Sequence, residues 1–310
     1  MTCPHCTADL PDDDIFCESC GERLSESPPA QTSPLCLCGA PDSELDEDGY
    51  CISCGRRCRP APGEHEEKQL SAEFAAVSDR GCHHHRNEDR FEIEFDGGRY
   101  VIVVCDGVST SSDADTASTA ASKCIAEELL RGCGVDSALQ NARECVARVA
   151  EQYPAGNSPS TTAVAAVVEN RAARVAWIGD SRAYWISKTD SKQLTSDHSW
   201  LNDVVSSGEL SYAEAEKSPQ AHAITRWIGA DAGADIAADT ITFSIPGAGW
   251  LMLCTDGLWN YVPQTEDLAG LVHEFPSQAT ALEIARQLVA YANEKGGSDN
   301  ITIALLGFAD

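Results

Sequence analysis

Short apolar segments separated by turns run from about residue 73 to residue 310 and predict a series of β-strands. Two of them, Phe91–Phe95 and Tyr100–Cys105, flank the turn Asp96-Gly97-Gly98, a pattern typical of a β-hairpin. The other predicted strands are Phe74–Val77, Thr162–Val168, Arg174–Ile178, Ala183–Ile186, Thr240–Ser244, Trp250–Cys254 and Ile301–Leu306. This region therefore contains enough strands for more than one sheet.

Helical spacing of apolar residues marks three longer segments in the same region. Asp115–Arg131 places apolar residues on one face and is followed by Gly132, a residue typical of a helix end. Asp136–Gln152 and Gln278–Asn293 are the other two predicted helices. Because pairs of strands are interleaved with blocks of helices, we expect an α+β fold, with packed antiparallel sheets as a β-sandwich and helices outside, rather than βαβ units.

The first 72 residues lack this pattern and divide into small units. Residues 1–24 and 36–59 are two cysteine-rich segments, and residues 25–35 between them form a linker rich in Pro and Ser. Residues 60–72 are predicted to be a second, charged linker that leads into the large domain at 73–310.

Each cysteine-rich segment contains two close pairs of cysteines, which is the ligand pattern of a zinc ribbon. The pairs are Cys3 and Cys6, Cys17 and Cys20, Cys36 and Cys38, and Cys51 and Cys54. Neither segment can bury a core, so bound metal would have to supply the folding free energy, on the order of 10 kcal/mol. We expect two structural Zn²⁺ ions; a redox pair or fortuitous spacing is the alternative. Six of the fifteen cysteines lie beyond residue 60, scattered singly, and are predicted to be ordinary thiols.

The net charge of the chain limits the classes of molecule that it is expected to bind. The 22 Lys and Arg residues against 49 Asp and Glu residues give a formal net charge of −27. Nucleic acids and anionic membranes bind clustered basic residues, so neither is an expected partner. No apolar run approaches the ~20 residues of a membrane span, and the first residues have no secretory pattern. We therefore expect a cytoplasmic protein.

Acidic residues recur at predicted strand ends in the large domain. They lie in five short motifs: Asn87-Glu88-Asp89, Cys105-Asp106-Gly107, Gly179-Asp180-Ser181-Arg182, Cys254-Thr255-Asp256-Gly257 and Gly297-Ser298-Asp299-Asn300. Each motif alone is more typical of a turn. Repeated delivery of carboxylates by apolar strands instead indicates a site for Mg²⁺ or Mn²⁺, which prefer oxygen ligands and can hold a phosphate between them.

The order and type of these motifs resemble the metal-dependent protein phosphatases (the PPM or protein phosphatase 2C-like family) over residues 73–310. The resemblance also rests on Ser78-Asp79-Arg80-Gly81, Arg86, Ser160-Thr161-Thr162, Ala183-Tyr184, Leu194-Thr195-Ser196-Asp197-His198-Ser199 and Ile301-Thr302. It implies an αββα sandwich and hydrolysis of phosphoserine and phosphothreonine in proteins by a water activated by two Mg²⁺ or Mn²⁺ ions. A protein kinase or its substrates are then among the expected partners.

The resemblance also implies a role for individual residues. Asp106 would bridge the two metal ions and the carbonyl of Gly107 would bind the first of them. Asp256 and Asp299 would complete the second site, so that these three aspartates carry the catalysis. Further metal ligands, directly or through water, would be Glu88, Asp89 and, with Asp256 at a third ion, Asp180.

Several positions depart from the family pattern. His84 stands where the family usually has the arginine that grips phosphate, so that role falls to Arg86 or to His84 itself; a polar turn with no such role is the alternative. Val108-Ser109-Thr110-Ser111-Ser112 replaces the usual glycines, and no histidine follows Gly107 to act as the general acid of some relatives. Ser207–Pro219 matches the family's flap or is a plain solvated segment.

Two functions remain open from the sequence. The first is a protein serine/threonine phosphatase, favoured because Asp106, Asp256 and Asp299 are all present. The second is a pseudophosphatase, or a regulatory module that binds phosphoproteins without turnover. In either case we expect the ribbons to contact protein or to add stability.

Overall fold

The computed structural model describes residues 51–54, 63–153, 158–230 and 237–309. The chain divides into two compact units, Met1–Pro62 and Gly63–Asp310. Cys51 is buried and Cys54 is exposed in the first unit. The other predicted zinc ligands, Cys3, Cys6, Cys17, Cys20, Cys36 and Cys38, lie outside the described residues.

The second unit contains thirteen strands among its described residues. They are β1 His65–Ser71, β2 Phe74–Asp79, β3 Arg90–Asp96, β4 Arg99–Cys105, β5 Ser160–Thr161, β6 Ala163–Glu169, β7 Ala172–Ile178, β8 Arg182–Ile186, β9 Lys192–Gln193, β10 Ile228–Gly229, β11 Asp239–Ser244, β12 Gly249–Cys254 and β13 Ile301–Phe308. Two antiparallel sheets result, with the strand orders β1-β2-β13-β12-β8-β9 and β11-β7-β6-β4-β3, and β5 pairs with β10 separately.

Seven helices accompany these strands in the described part of the unit. They are α1 Ala114–Leu130, α2 Val135–Ala150, α3 Trp200–Ser206, α4 Tyr212–Ala215, α5 Asp256–Trp259, α6 Thr265–His273 and α7 Ala281–Glu294. One core lies between the two sheets. A second joins the outer face of the six-stranded sheet to α5, α6 and α7, and a third joins the five-stranded sheet to α1 and α2. The predicted αββα sandwich is confirmed.

Strand β4 explains why the buried strands are apolar on both faces. Ile102 and Val104 point into the core between the sheets, whereas Val101, Val103 and Cys105 pack against the helices. Successive side chains of a strand point to opposite faces, so a strand in the middle of three layers must be apolar throughout.

The structure corrects the predicted linker at 60–72. Residues His65–Ser71 form β1, which pairs with β2 at the edge of the six-stranded sheet. The segment is polar because both faces of this edge strand are largely exposed or half-buried, so no apolar pattern marked it.

The structure also corrects the prediction that every cysteine beyond residue 60 is an ordinary thiol. A disulfide joins Cys124 of α1 to Cys145 of α2. The two residues lie 21 positions apart on separate helices, and only the packing of those helices brings them together. Within the described part of the chain, no helix is both long and apolar enough to span a membrane.

Candidate active site

The topology gathers the acidic motifs at one edge of the sandwich. In the five-stranded sheet the last residues of β4 and β7 both lie beside the start of β6, because Val104 pairs with Val164 and Ile178 with Ala163. Asp106 and Asp180 follow those strand ends. In the six-stranded sheet Cys254 at the end of β12 pairs with Ile303 near the start of β13, which places Asp256 and Asp299 at a common edge.

A cavity of about 680 Å³ lies at this edge. Asp106, Gly107, Asp180, Asp256 and Asp299 line it, together with the hydroxyl side chains of nearby loops. No lysine or arginine is among the described residues that line it. Four of the seven predicted metal ligands thus face one cavity with their side chains, and Gly107 is a fifth member of the lining.

Two hydrogen bonds to its backbone carbonyl hold Asp106 in place. Its carbonyl accepts from the backbone N–H of Thr162 at 2.7 Å and from the hydroxyl of Thr161 at 2.8 Å. The next residue, Gly107, leaves no room for a side chain: an added Cβ would lie 2.8 Å from the carbonyl oxygen of Glu88 and 2.9 Å from Cβ of Ala114. The chain can therefore bring the Gly107 carbonyl beside Asp106 only with glycine there.

Asp256 and Asp180 are connected through the short helix α5. Asp256 is the first residue of α5, and its Oδ2 accepts from Nδ2 of Asn260 at 3.1 Å. At the other end of the same helix the indole N–H of Trp259 donates to the carbonyl of Asp180 at 3.0 Å. Gly179 precedes Asp180 with φ +106°, a conformation that favours glycine.

Asn300 anchors the loop that carries Glu88 to the loop that carries Asp299. Its Oδ1 accepts from the backbone N–H of Glu88 at 2.7 Å. Its Nδ2 donates to the carbonyls of Arg80 and Arg86, and its own N–H donates to Oδ1 of Asp299 at 2.8 Å. These two motifs lie before strands β3 and β13, not after a strand. In an antiparallel sheet the start of one strand lies at the same edge as the end of its neighbour, so these motifs reach the same edge as the others.

The structure places Glu88 and Asp89 outside the lining of the cavity. Asp89 is 1% exposed, and its Oδ2 accepts from the hydroxyl of Thr255 at 2.8 Å. Glu88 is half-buried, and its Oε2 accepts from the hydroxyl of Ser109 at 2.9 Å. Asp89 is close enough to Asp256 and Asp299 for their charges to raise its pKa, whereas Glu88 contacts a hydroxyl of the cavity lining.

Burial and mutual repulsion raise the pKa values of these carboxyl groups. Loss of solvation is the largest cause for Asp89, Asp106 and Asp180, and the negative charges of the neighbouring aspartates add to it. The same causes raise the pKa of Asp256 from 3.8 to about 7. A group of buried carboxyl groups in this state is stabilised by added positive charge.

The donor set fits Mg²⁺ or Mn²⁺. These ions take carboxylate oxygens, backbone carbonyls and waters as ligands, and the cavity offers four aspartates and the close-packed Gly107 backbone. Among the described residues, no three His, Cys, Asp or Glu side chains lie close enough together to hold a metal ion by themselves.

The two predicted phosphate-binding residues lie outside the cavity lining. Nε2 of His84 is 3.2 Å from Oδ1 of Asp299. Nη1 of Arg86 is 3.3 Å from Oδ1 of Asp113, and its side chain is 69% exposed. The loop that replaces the usual glycines is held in place by hydrogen bonds, from the N–H of Val108 to the carbonyl of Ser160 and from the N–H of Ser160 to the hydroxyl of Ser111.

A second cavity, of about 630 Å³, adjoins the first and shares Asp180 and His222 with it. The guanidinium of Arg182 binds both carboxylate oxygens of Asp197 there, at 2.9 and 2.6 Å. It also lies 3.7 Å from the ring centroid of Trp259. Sequence reasoning missed His222, because it belongs to no motif and only the fold brings it to the site.

The segment that matched the family's flap is folded among its described residues. Helices α3 and α4 pack around a small core of Leu201, Val204, Ala215 and Ala221. A capping box of Ser211 and Glu214 starts α4. Within Ser207–Pro219 only Ala215 is buried, so a flap and a solvated helix and loop, the two expectations from the sequence, both stay predictions for this segment.

Comparison with known proteins agrees with this geometry. The family model described as protein phosphatase 2C matches residues 83–292, and a zinc-ribbon domain model matches residues 2–24. The serine/threonine phosphatase stp of Listeria monocytogenes is 30% identical over 248 residues, which are 76% of this chain and 95% of that protein.

Solved structures are similar over the same region. The crystal structure of the serine/threonine phosphatase Stp1 from Staphylococcus aureus has a TM-score of 0.68 at 25% identity, covering 80% of this chain and 99% of that one. The catalytic domain of the serine threonine protein phosphatase PstP in complex with two manganese ions has a TM-score of 0.63 at 25% identity, covering 76% and 98%.

Proposed function

The chain belongs to the protein phosphatase 2C (PPM) family, and from that premise we propose that it hydrolyses phosphoserine and phosphothreonine in proteins with Mg²⁺ or Mn²⁺. The observation that carries the proposal is the convergence of Asp106, Asp180, Asp256 and Asp299 on one cavity. Because these aspartates are buried and repel one another, bound cations would stabilise their charged forms. Hydrolysis of a phosphomonoester also requires positive charge beside the phosphate.

In this proposal the aspartates have separate tasks. Asp106 would be shared between two cations, the Gly107 carbonyl would be a ligand of the first, and Asp256 and Asp299 would be ligands of the second. Asp180 with Asp256 would hold a third ion, and Glu88 and Asp89 would bind a metal ion directly or through water. Cations bound there would lower the pKa of water and would neutralise negative charge on the phosphate oxygens.

The chain itself offers no cysteine nucleophile at this site among its described residues. Cys105 and Cys254 adjoin the motifs but are fully buried, and burial raises the pKa of the Cys254 thiol to about 12 and that of Cys105 well above its usual range. A neutral thiol is a poor nucleophile. Both residues pack in the core, which excludes them as nucleophiles, and in this proposal water is the attacking group.

We propose that Arg86, and not His84, binds the phosphate group of the substrate. The ion pair of Arg86 with Asp113 is exposed, and such pairs contribute only ~0–1 kcal/mol. The guanidinium can therefore leave Asp113 and bind a phosphate through two hydrogen bonds. His84 is held against Asp299 instead.

The front of the chain is proposed to bind two structural Zn²⁺ ions. Cys3, Cys6, Cys17 and Cys20 would hold the first, which the zinc-ribbon match over residues 2–24 supports. Cys36, Cys38, Cys51 and Cys54 would hold the second. The acidic character of the chain favours a protein partner for these ribbons over a nucleic acid.

The test is a phosphothreonine peptide assay on the full chain with Mn²⁺ or Mg²⁺, with and without chelator. Asp106→Asn should lower kcat by at least ~10²-fold, whereas Asp190→Asn, which changes an exposed aspartate of a surface turn, should leave it unchanged. Wild-type activity in the Asp106 variant would refute the metal assignment. Peptide binding without turnover by the wild type would instead support the pseudophosphatase.

A further inference from the structure

One histidine lines the acidic cavity among the described residues, and it lies three residues beyond the predicted flap Ser207–Pro219. His222 lies in the turn that follows α4 and is exposed. The remaining described lining consists of the aspartates, Trp227, hydroxyl side chains and small or apolar residues. Imidazole is the side chain in this set that can donate a proton without also being a proposed metal ligand.

The backbone on both sides of His222 is fixed. Ala221 is 2% exposed and belongs to the small core formed with α3 and α4. The carbonyl of Ala223 accepts from the N–H of Trp200 at 2.9 Å, and Ile224 forms a β-bridge with Ser199. The backbone position of His222 is thus set by packing against α3 and α4, although its side chain is exposed.

His222 stands at the boundary of the two cavities, since it lines both. Its ring centroid lies 6.5 Å from that of Trp259, whose indole N–H binds the carbonyl of Asp180. A phosphate at the four aspartates, with its peptide continuing into the second cavity, would place the ester oxygen that joins them at this boundary.

Resting on the proposed function, we propose that His222 is the general acid that protonates the leaving serine or threonine oxygen. The oxygen of water forms a bond to phosphorus, and the bond from phosphorus to the ester oxygen breaks. The electron pair stays on the ester oxygen, which takes a proton from a ring nitrogen of the imidazolium. The attacking water loses its proton to solvent, and the exposed imidazole regains one from solvent.

Leaving-group dependence tests this role. A general acid matters most when the leaving oxygen is strongly basic, so His222→Gln should lower kcat on phenyl phosphate and on a phosphothreonine peptide by about 10²-fold. On p-nitrophenyl phosphate, whose leaving group needs no proton, the loss should be at least tenfold smaller. His273→Gln, which changes an exposed histidine at the end of α6, is the matched control and should keep wild-type rates on all three substrates.

Two further measurements separate this role from others. Calorimetric titration of His222→Gln with Mn²⁺ should give the wild-type affinity, and urea unfolding should give the wild-type midpoint. Equal losses on phenyl and p-nitrophenyl phosphate, or weakened Mn²⁺ binding, would overturn the assignment while leaving the proposed function standing. A wild type that hydrolyses none of the three substrates would overturn both.

Discussion

Replacing Asp256 with asparagine should stabilise the protein when Mg²⁺ and Mn²⁺ are absent, although it removes a proposed metal ligand. The folded state raises the pKa of Asp256 from 3.8 to about 7. A carboxyl group with a raised folded-state pKa favours folding while it is protonated in both states. That contribution is lost as the pH rises from the unfolded value, near 4, to the folded value, near 7.

The magnitude follows from the same shift. At ~1.4 kcal/mol per pKa unit, a rise of about three units corresponds to a loss of ~4 kcal/mol in the free energy of unfolding at pH 8. Asparagine keeps an oxygen that accepts from Asn260 but never carries the charge. The stability difference between Asp256→Asn and wild type should therefore grow by about 3 kcal/mol between pH 5 and pH 8.

Tryptophan fluorescence during urea unfolding measures this difference in the right domain, because all six tryptophans lie between residues 177 and 259. Comparison with wild type at each pH cancels groups that do not interact with Asp256, notably His65, whose pKa is raised to about 9 by its bond to Asp79. Added Mn²⁺ should raise the stability of the wild type far more than that of the variant. A variant that is less stable than wild type at pH 8 without metal would refute the electrostatic reasoning.

Three more predictions concern the site and the ribbons. Gly257→Ala should cost about 1–3 kcal/mol of stability and reduce activity, because its Cβ would lie 1.9 Å from the carbonyl oxygen of Asn300; Gly270→Ala, with open space around its Cβ, is the control and should be neutral or stabilising by about 0.5–1 kcal/mol in unfolding assays. Arg86→Ala should raise KM for a phosphopeptide by about tenfold, corresponding to a lost charged hydrogen bond of about 1.5 kcal/mol, and a larger rise in His84→Ala would reverse that assignment. Purified full-length protein should contain two Zn²⁺ per chain by elemental analysis, and Cys17→Ser should lower this to one.

The sequence allowed the positions of two cavity aspartates to be predicted, because strands deliver them. β4 and β12 are apolar runs that end one or two residues before Asp106 and Asp256, so both their positions and their chemistry are visible in the sequence. The convergence of Asp180 and Asp299 on the same cavity follows from antiparallel pairing at a common edge. The β-sandwich and the edge at which the aspartates meet could therefore both be predicted from the pattern of strands.

Other features depend on contacts that no local pattern records. Strand β1 is polar because it lies at a sheet edge, so its residues were assigned to a linker. The pairing of Cys124 with Cys145 requires the packing of two helices, and the position of His222 beside the cavity depends on the small core that α3 and α4 form with Ala221. Each depends on neighbours distant along the chain, whereas hydrophobic periodicity reports only whether a segment can be buried.

Strand β13 has a consequence for how the protein is made. It lies in the middle of the six-stranded sheet, between β2 and β12, and Asp299 comes just before it. Its Thr302 bonds the hydroxyl of Ser78 across 224 residues of sequence. During synthesis β2 cannot pair with β13 until the end of the chain has been made. Contacts between residues so far apart in the sequence form slowly. A ribosome-bound chain that stops before residue 299 thus has neither its central strand nor its full set of aspartates, and phosphatase activity should first appear only after β13 has left the ribosome.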